Sequence, residues 1–374
     1  MKLLVGHDGS CPNSPGGVRR KSDGEWVIFP MWRKNKGKSK DVPGNRFNVR
    51  VRNEESRPRH LTLRADWGAA ATSTMHFRDV GYVKHESEAD WTLVIPELTG
   101  HVCTYSVTVQ PGETEIGLWP AYNTEDCRRF VSSLAESPGV RTRVAGRSRK
   151  GREIFLVEIN GPGAPAKREQ LVIQARDHAY ETAGSYCAEG MARFLLSEDP
   201  AARYFLQRFR VALLPMTNPD GVYDGMSRLS APCGANLSCP VEQDDESWRT
   251  LKRVLDRLRP AVYINLHNWT YKWHDGLLGD NETLTEHIRE RMPSQGRFLK
   301  RWRVRSQADL LKASGLASVT PEQRTWKNYL AEKFHTEGVA FEFPWFGRNT
   351  ADMRETGRQA LLATLAGYLQ MRDD

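Results

Sequence analysis

From about residue 115 onward, short fully apolar runs alternate with amphipathic stretches, and this alternation restricts the possible folds more than any other feature of the chain. The apolar runs at 154–159, 171–174, 211–215, 262–266 and 339–343 read as strands covered on both faces. Stretches at 124–134, 181–196, 201–208, 247–258, 281–291, 321–334 and 350–371 carry the spacing of helices with one apolar face. Buried strands separated by helices predict an α/β/α unit: a mixed, mostly parallel sheet flanked by helices.

Before residue 115 the texture differs. Segments with β-branched or aromatic alternation recur at 25–29, 46–52, 60–65, 74–77, 90–95 and 102–109, separated by turn residues such as Pro43, Gly44, Asn45, Pro111 and Gly112. Phe47, Val49 and Val51 alternate with Asn48, Arg50 and Arg52, the period of a half-buried strand. No helical pattern interrupts them, which predicts a small antiparallel β-sandwich. The organisation expected is therefore a sandwich at 1–114 and an α/β domain at 115–374, with the Lys- and Gly-rich segment 31–45 as a mobile loop.

Composition removes several function classes. No apolar run approaches the ~18 residues of a membrane helix. The opening Met1 to Asp8 has too short an apolar stretch for a secretory signal. The net charge of +8 favours anionic partners only weakly, and the basic runs at 19–21, 33–40 and 297–305 read as solvated faces rather than phosphate readers. Cysteines 11, 103, 127, 187, 233 and 239 form no CxxC pair, so reduced thiols in a cytoplasm are expected. Neither nucleic acid nor membrane is an expected partner.

Ligands of open α/β sheets collect beyond the carboxyl ends of the strands. The run 171–174 is followed by Arg176, Asp177, His178 and Glu181; 211–215 by Asn218, Pro219, Asp220 and Gly221, then Arg228; 262–266 by His267. Glu342 lies inside the last apolar run. His178 and Glu181, three apart across a strand-to-helix turn, can face a common point. A distant His added to them gives a His₂Glu set with one open position, the pattern of a catalytic zinc site. Such a site lowers the pKa of water. Glu342 then suits a general base and Arg228 an oxyanion donor. Each piece alone also has a plain structural reading: helix cap, strand-end histidine, buried ion-pair partner, turn. The order of all four carries the inference.

These residues resemble the zinc carboxypeptidases of the M14 family. His178-Ala179-Tyr180-Glu181 matches the HxxE motif, 215–221 the PMxNPDG segment, Leu266-His267 the third ligand, and Glu342 the late-strand carboxylate. A sandwich followed by Leu118-Trp119-Pro120-Ala121-Tyr122 is similar to the cytosolic carboxypeptidase branch of bacterial type. The resemblance implies one zinc per chain held by His178, Glu181 and His267. It also implies that Arg228 polarises a scissile carbonyl, that Glu342 activates water, and that the substrate is a peptide or a peptide-like, acylated compound.

The chain departs from the family at one place. After Arg228 the family carries an Asp that supports the first zinc His, then an Asn-Arg pair that grips a substrate's terminal carboxylate. Here Asn236 stands for the Asp, and Ser238-Cys239 for the pair. Asn236 can still accept a hydrogen bond, but Ser and Cys cannot form a bidentate salt bridge. Arg176, Arg249 and Arg348 are candidates for a replacement grip, and Tyr271 and Tyr329 for a substrate-covering ring. The expected activity is carboxypeptidase-like amide hydrolysis. The alternatives are a zinc amidase, deacylase or esterase that needs no C-terminal carboxylate, and a non-catalytic binding relative.

Overall fold

The computed structural model describes residues 1–373 apart from 5–16, 31–46, 69–79, 162, 164, 166, 227, 270–273, 293–302 and 305–323. The expected mobile loop at 31–45 and the strand expected at 74–77 lie outside the described residues.

The amino-terminal strands form two five-stranded sheets. One has the order β1 (Lys2–Leu4), β4 (Asn48–Asn53), β10 (Gly112–Gly117), β6 (Gly81–His85) and β7 (Thr92–Val94). The other runs β2 (Val18–Ser22), β3 (Glu25–Ile28), β5 (Arg59–Asp66), β9 (Val102–Val109) and β8 (Glu97–Thr99). Leu61, Leu63 and Ala65 on β5, and Cys103, Tyr105, Val107 and Val109 on β9, are buried while their neighbours face outward. A period of two with one face in the core is what fixes strand register. One pair departs from the antiparallel expectation: β3 runs parallel to β5. The last sandwich strand continues to Gly117.

The second region is built on an eight-stranded sheet of order β11 (Val140–Arg147), β12 (Glu153–Ile159), β14 (Phe209–Leu214), β13 (Glu169–Ala175), β15 (Val262–His267), β18 (Glu337–Glu342), β16 (Gly276–Gly279) and β17 (Arg303–Val304). The four central strands are mutually parallel, and β12 and β16 flank them antiparallel. Parallel strands need both faces covered, and β15 is buried at every position. The helices are α1 (Thr124–Ala135), α2 (Thr182–Leu195), α3 (Pro200–Arg208), α4 (Pro219–Tyr223), α5 (Glu246–Leu258), α6 (Glu282–Arg291), α7 (Trp326–Phe334) and α8 (Thr350–Asp373). Helix α2 is buried almost all round, against the sheet on one side and α8 on the other. A Cβ on Gly190 would meet the backbone of Arg354, and one on Gly357 the backbone of Cys187, so glycine is what lets these two helices touch.

Sandwich and sheet share one apolar core, running from Ile28 and Val49 through Trp119 to Leu171, Ile264 and Leu361. One polar tie crosses the same junction, and another holds the segment that follows the last sandwich strand. Tyr82 Oη donates to the carbonyl of Trp345 at 2.9 Å, and Tyr186 Oη to that of Ala121 at 2.7 Å.

Candidate metal centre

The site forms where three parallel strands end. His267 and Glu342 are Cα partners at the ends of β15 and β18, so the register itself sets them side by side. Strand β13 ends at Ala175, paired with Leu266. The chain then turns through Arg176, whose φ of 62° is left-handed. For a non-glycine residue this conformation is costly and is held only by surrounding contacts. Arg176 is fully buried and donates to Ala179 O at 2.9 Å and to Ser185 Oγ at 3.3 Å. The turn delivers His178 and, just before α2, Glu181.

His178 Nδ1 lies 2.8 Å from Glu181 Oε1, and His267 Nδ1 lies 2.8 Å from Glu181 Oε2. The ligand atoms of all three residues fall within 4.8 Å of one another, and all three side chains are buried. Burial opposes charge on Glu181, but the two imidazoles facing it outweigh that effect and hold the carboxyl well below the usual range. Burial holds the His178 imidazole below its ordinary value against the pull of Glu181. Two ring nitrogens converging on the two oxygens of one carboxylate form the nitrogen and oxygen donor set that zinc takes. The residues fit a zinc ion, with His178, Glu181 and His267 as its holders.

A second layer locks this geometry. Asp177 accepts from Gln174 Nε2 at 2.5 Å, Thr217 Oγ1 at 2.9 Å and Asn265 Nδ2 at 2.9 Å, tying β13, the turn after β14 and β15 together. Asn218 is more than a turn former. Its Nδ2 donates to the carbonyls of Asp177 (3.0 Å) and Arg228 (3.2 Å), while its Oδ1 accepts from Gly221 N (3.0 Å). It thereby brackets the loop carrying Arg228 against the loop carrying His178. Arg228 Nη2 stands 3.3 Å from His178 Nε2, at the exposed rim.

Asn236 does not touch His178. The hydroxyl of Ser238 comes between them, 3.2 Å from His178 Nε2 and 2.8 Å from Asn236 Oδ1. Ser238, expected at the substrate, is buried beside His178. Cys239 is buried, and its carbonyl accepts from Trp248 Nε1. None of the three arginines considered as a replacement grip is available. Arg176 is the turn residue described above, Arg249 is an exposed partner of Asp244 and Glu246, and Arg348 makes a buried bidentate pair with Asp275 at 2.6 Å for both bonds. Tyr329 packs beside Asp256 and Lys252, away from the site, and Tyr271 lies outside the described residues.

Two aromatic residues at the site carried no separate signal in the sequence. The Tyr180 ring lies parallel to that of His178, at 4° with centroids 6.4 Å apart, and Trp119 packs against Tyr180 at 5.8 Å. Trp119 comes from the segment after the last sandwich strand, so only tertiary closure reveals it.

A buried His/Glu/His cluster thus lies at the carboxyl edge of a parallel sheet, with a carboxylate and an arginine at its margin. Residues 128–341 match the family model described as zinc carboxypeptidase, and the chain belongs to that family. It is 30% identical over 176 residues to cytosolic carboxypeptidase 2 of Xenopus tropicalis, covering 43% of this chain and 18% of that protein. The same protein of Danio rerio is 32% identical over 168 residues, with coverage of 41% and 23%. The match thus spans about a fifth of the length of these relatives. An uncharacterized protein of Zymomonas mobilis is 28% identical over 271 residues, 70% of this chain and 68% of that one. Among solved structures, a metallo-carboxypeptidase from Burkholderia cenocepacia shares the fold over 99% of both chains, with a TM-score of 0.79 at 16% identity. One from Pseudomonas aeruginosa, in complex with (2-guanidinoethylmercapto)succinic acid, does so with a TM-score of 0.74 at 18% identity. No helix among the described residues is long and apolar enough to cross a membrane.

Proposed function

We propose that this chain is a one-zinc hydrolase that cleaves an amide bond, with a catalytic unit at 115–374 supported by the sandwich at 1–114. The observation that carries the reading is the convergence of His178 and His267 on the two oxygens of Glu181, beside Glu342. Zinc bound there supplies Lewis acidity, lowering the pKa of water and polarising a carbonyl. Glu342 accepts the proton of the attacking water and delivers it to the leaving amine. Arg228 donates to the oxygen of the scissile carbonyl as it gains charge. Asp177 and Asn218 keep the two loops in place. Cys127, Cys187 and Cys233, as thiols, suit a cytoplasmic location.

The substrate reading follows from the donors that the described residues supply. A desolvated carboxylate needs charge-assisted donors worth about 1.5–3 kcal/mol each. Ser238 already serves His178 and Asn236, and Arg176, Arg249 and Arg348 are committed elsewhere. We therefore favour a peptide-like or acylated substrate whose free terminal carboxylate is not required. The test is hydrolysis of a matched peptide acid and peptide amide, beside N-acyl and ester compounds, by the zinc-loaded protein. Comparable rates on acid and amide are expected. A preference above about a hundredfold for the acid, equal to some 2.7 kcal/mol, would restore ordinary carboxypeptidase specificity.

A further inference from the structure

We propose that Ser238 and Asn236 form a positioning relay that fixes the tautomer of His178, presenting a bare Nδ1 to the metal. This rests on the zinc reading above and concerns how this chain keeps its first ligand ready. Asn236 Oδ1 lies 3.2 Å from the backbone N of Ser238, and a backbone N–H only donates, so the atom there is the amide oxygen. The Ser238 hydroxyl lies 2.8 Å from the same oxygen and must donate to it. A hydroxyl has a single proton. With that proton committed to Asn236, Ser238 Oγ can only accept from its other neighbour, His178 Nε2, at 3.2 Å.

The direction of this last bond decides the chemistry of the ring. A neutral imidazole carries its proton on one nitrogen, set by the partner of the other. Accepting from Nε2–H leaves Nδ1 with a lone pair, 2.8 Å from Glu181 Oε1. Two acceptors so placed suit a cation between them, and a metal requires the deprotonated nitrogen. Arg228 makes the opposite demand: its Nη2, 3.3 Å from the same Nε2, can only donate and favours the tautomer with the proton on Nδ1. Ser238 and Arg228 thus compete over one nitrogen, and the relay holds it in the metal-binding form.

The test is the zinc dissociation constant, by chelator competition, of wild type, Ser238→Ala, Ser238→Thr, Asn236→Leu and Asn236→Asp, together with the visible spectrum of the cobalt-substituted proteins. Partners of this kind change metal affinity by about 10–100-fold, and Ser238→Ala and Asn236→Leu are expected to weaken zinc by that amount and shift the cobalt bands. Ser238→Thr and Asn236→Asp keep the hydroxyl and the acceptor and should retain wild-type affinity and spectrum. Unchanged zinc affinity and cobalt spectrum in both Ser238→Ala and Asn236→Leu would overturn the relay. A wild-type protein that takes up no zinc would instead overturn the metal reading on which it rests.

Discussion

At the scale of single residues, each part of the site has its own chemical role and so its own expected loss. Glu342→Gln keeps shape and polarity but removes the basic oxygen. It is expected to retain zinc while losing at least about 10² in turnover, the usual worth of a positioned base. Arg228→Ala removes the donor at the rim and is expected to cost about 10²–10³ in turnover. Turnover and metal content of both variants check this; a Glu342→Gln protein with wild-type turnover would show that another group activates the water. The legibility of the site follows the same division. The convergence of His178, Glu181 and His267 was readable because they follow strands whose apolar runs are plain in the sequence, and the place of Glu342 because it ends such a strand. The contact of Ser238 with His178 was not legible because it spans 60 residues and depends on the path of a loop. Trp119 and Tyr180 were legible only as members of their motifs, because aromatic residues next to a core look like core.

At the scale of elements, the parallel strands and long helices were read to within a few residues, because burial on both faces leaves an unbroken apolar signal. What escaped were elements without that signal. Strand β11 lies at the sheet edge with half-exposed residues throughout, and β16 is four residues reading Gly-Leu-Leu-Gly. The parallel β3–β5 pair was invisible, since a strand's own period does not reveal its partner's direction. The contact between α2 and α8 yields a stability prediction. Helix propensity favours Ala over Gly by about 1 kcal/mol, yet a Cβ at Gly357 would meet the backbone of Cys187. Overpacking of this kind costs about 1–3 kcal/mol, so Gly357→Ala is expected to be destabilising. Denaturant unfolding checks it; a more stable Gly357→Ala protein would mean that the helices are not in backbone contact.

At the scale of the whole molecule, sandwich and catalytic sheet behave as one body in the packing. Tyr82 from β6 holds the carbonyl of Trp345, whose indole donates to Thr182 Oγ1 at the start of α2, one residue beyond Glu181. Tyr122 and Trp345 both pack on Tyr186. Unfolding the sandwich would therefore strip contacts from the segment after Glu342 and from the helix after Glu181. Calorimetry is expected to show one cooperative transition, and two separate ones would contradict the shared core. The same closure brings the ends of β13, β15 and β18 together, where the proposed zinc would be held. Metal analysis of the purified, dialysed protein, beside His267→Ala, tests it most directly. About one zinc per chain is predicted for the wild type and little for His267→Ala, because a structural or catalytic zinc takes at least three protein ligands. A His267→Ala protein that keeps a full complement of zinc would contradict the account.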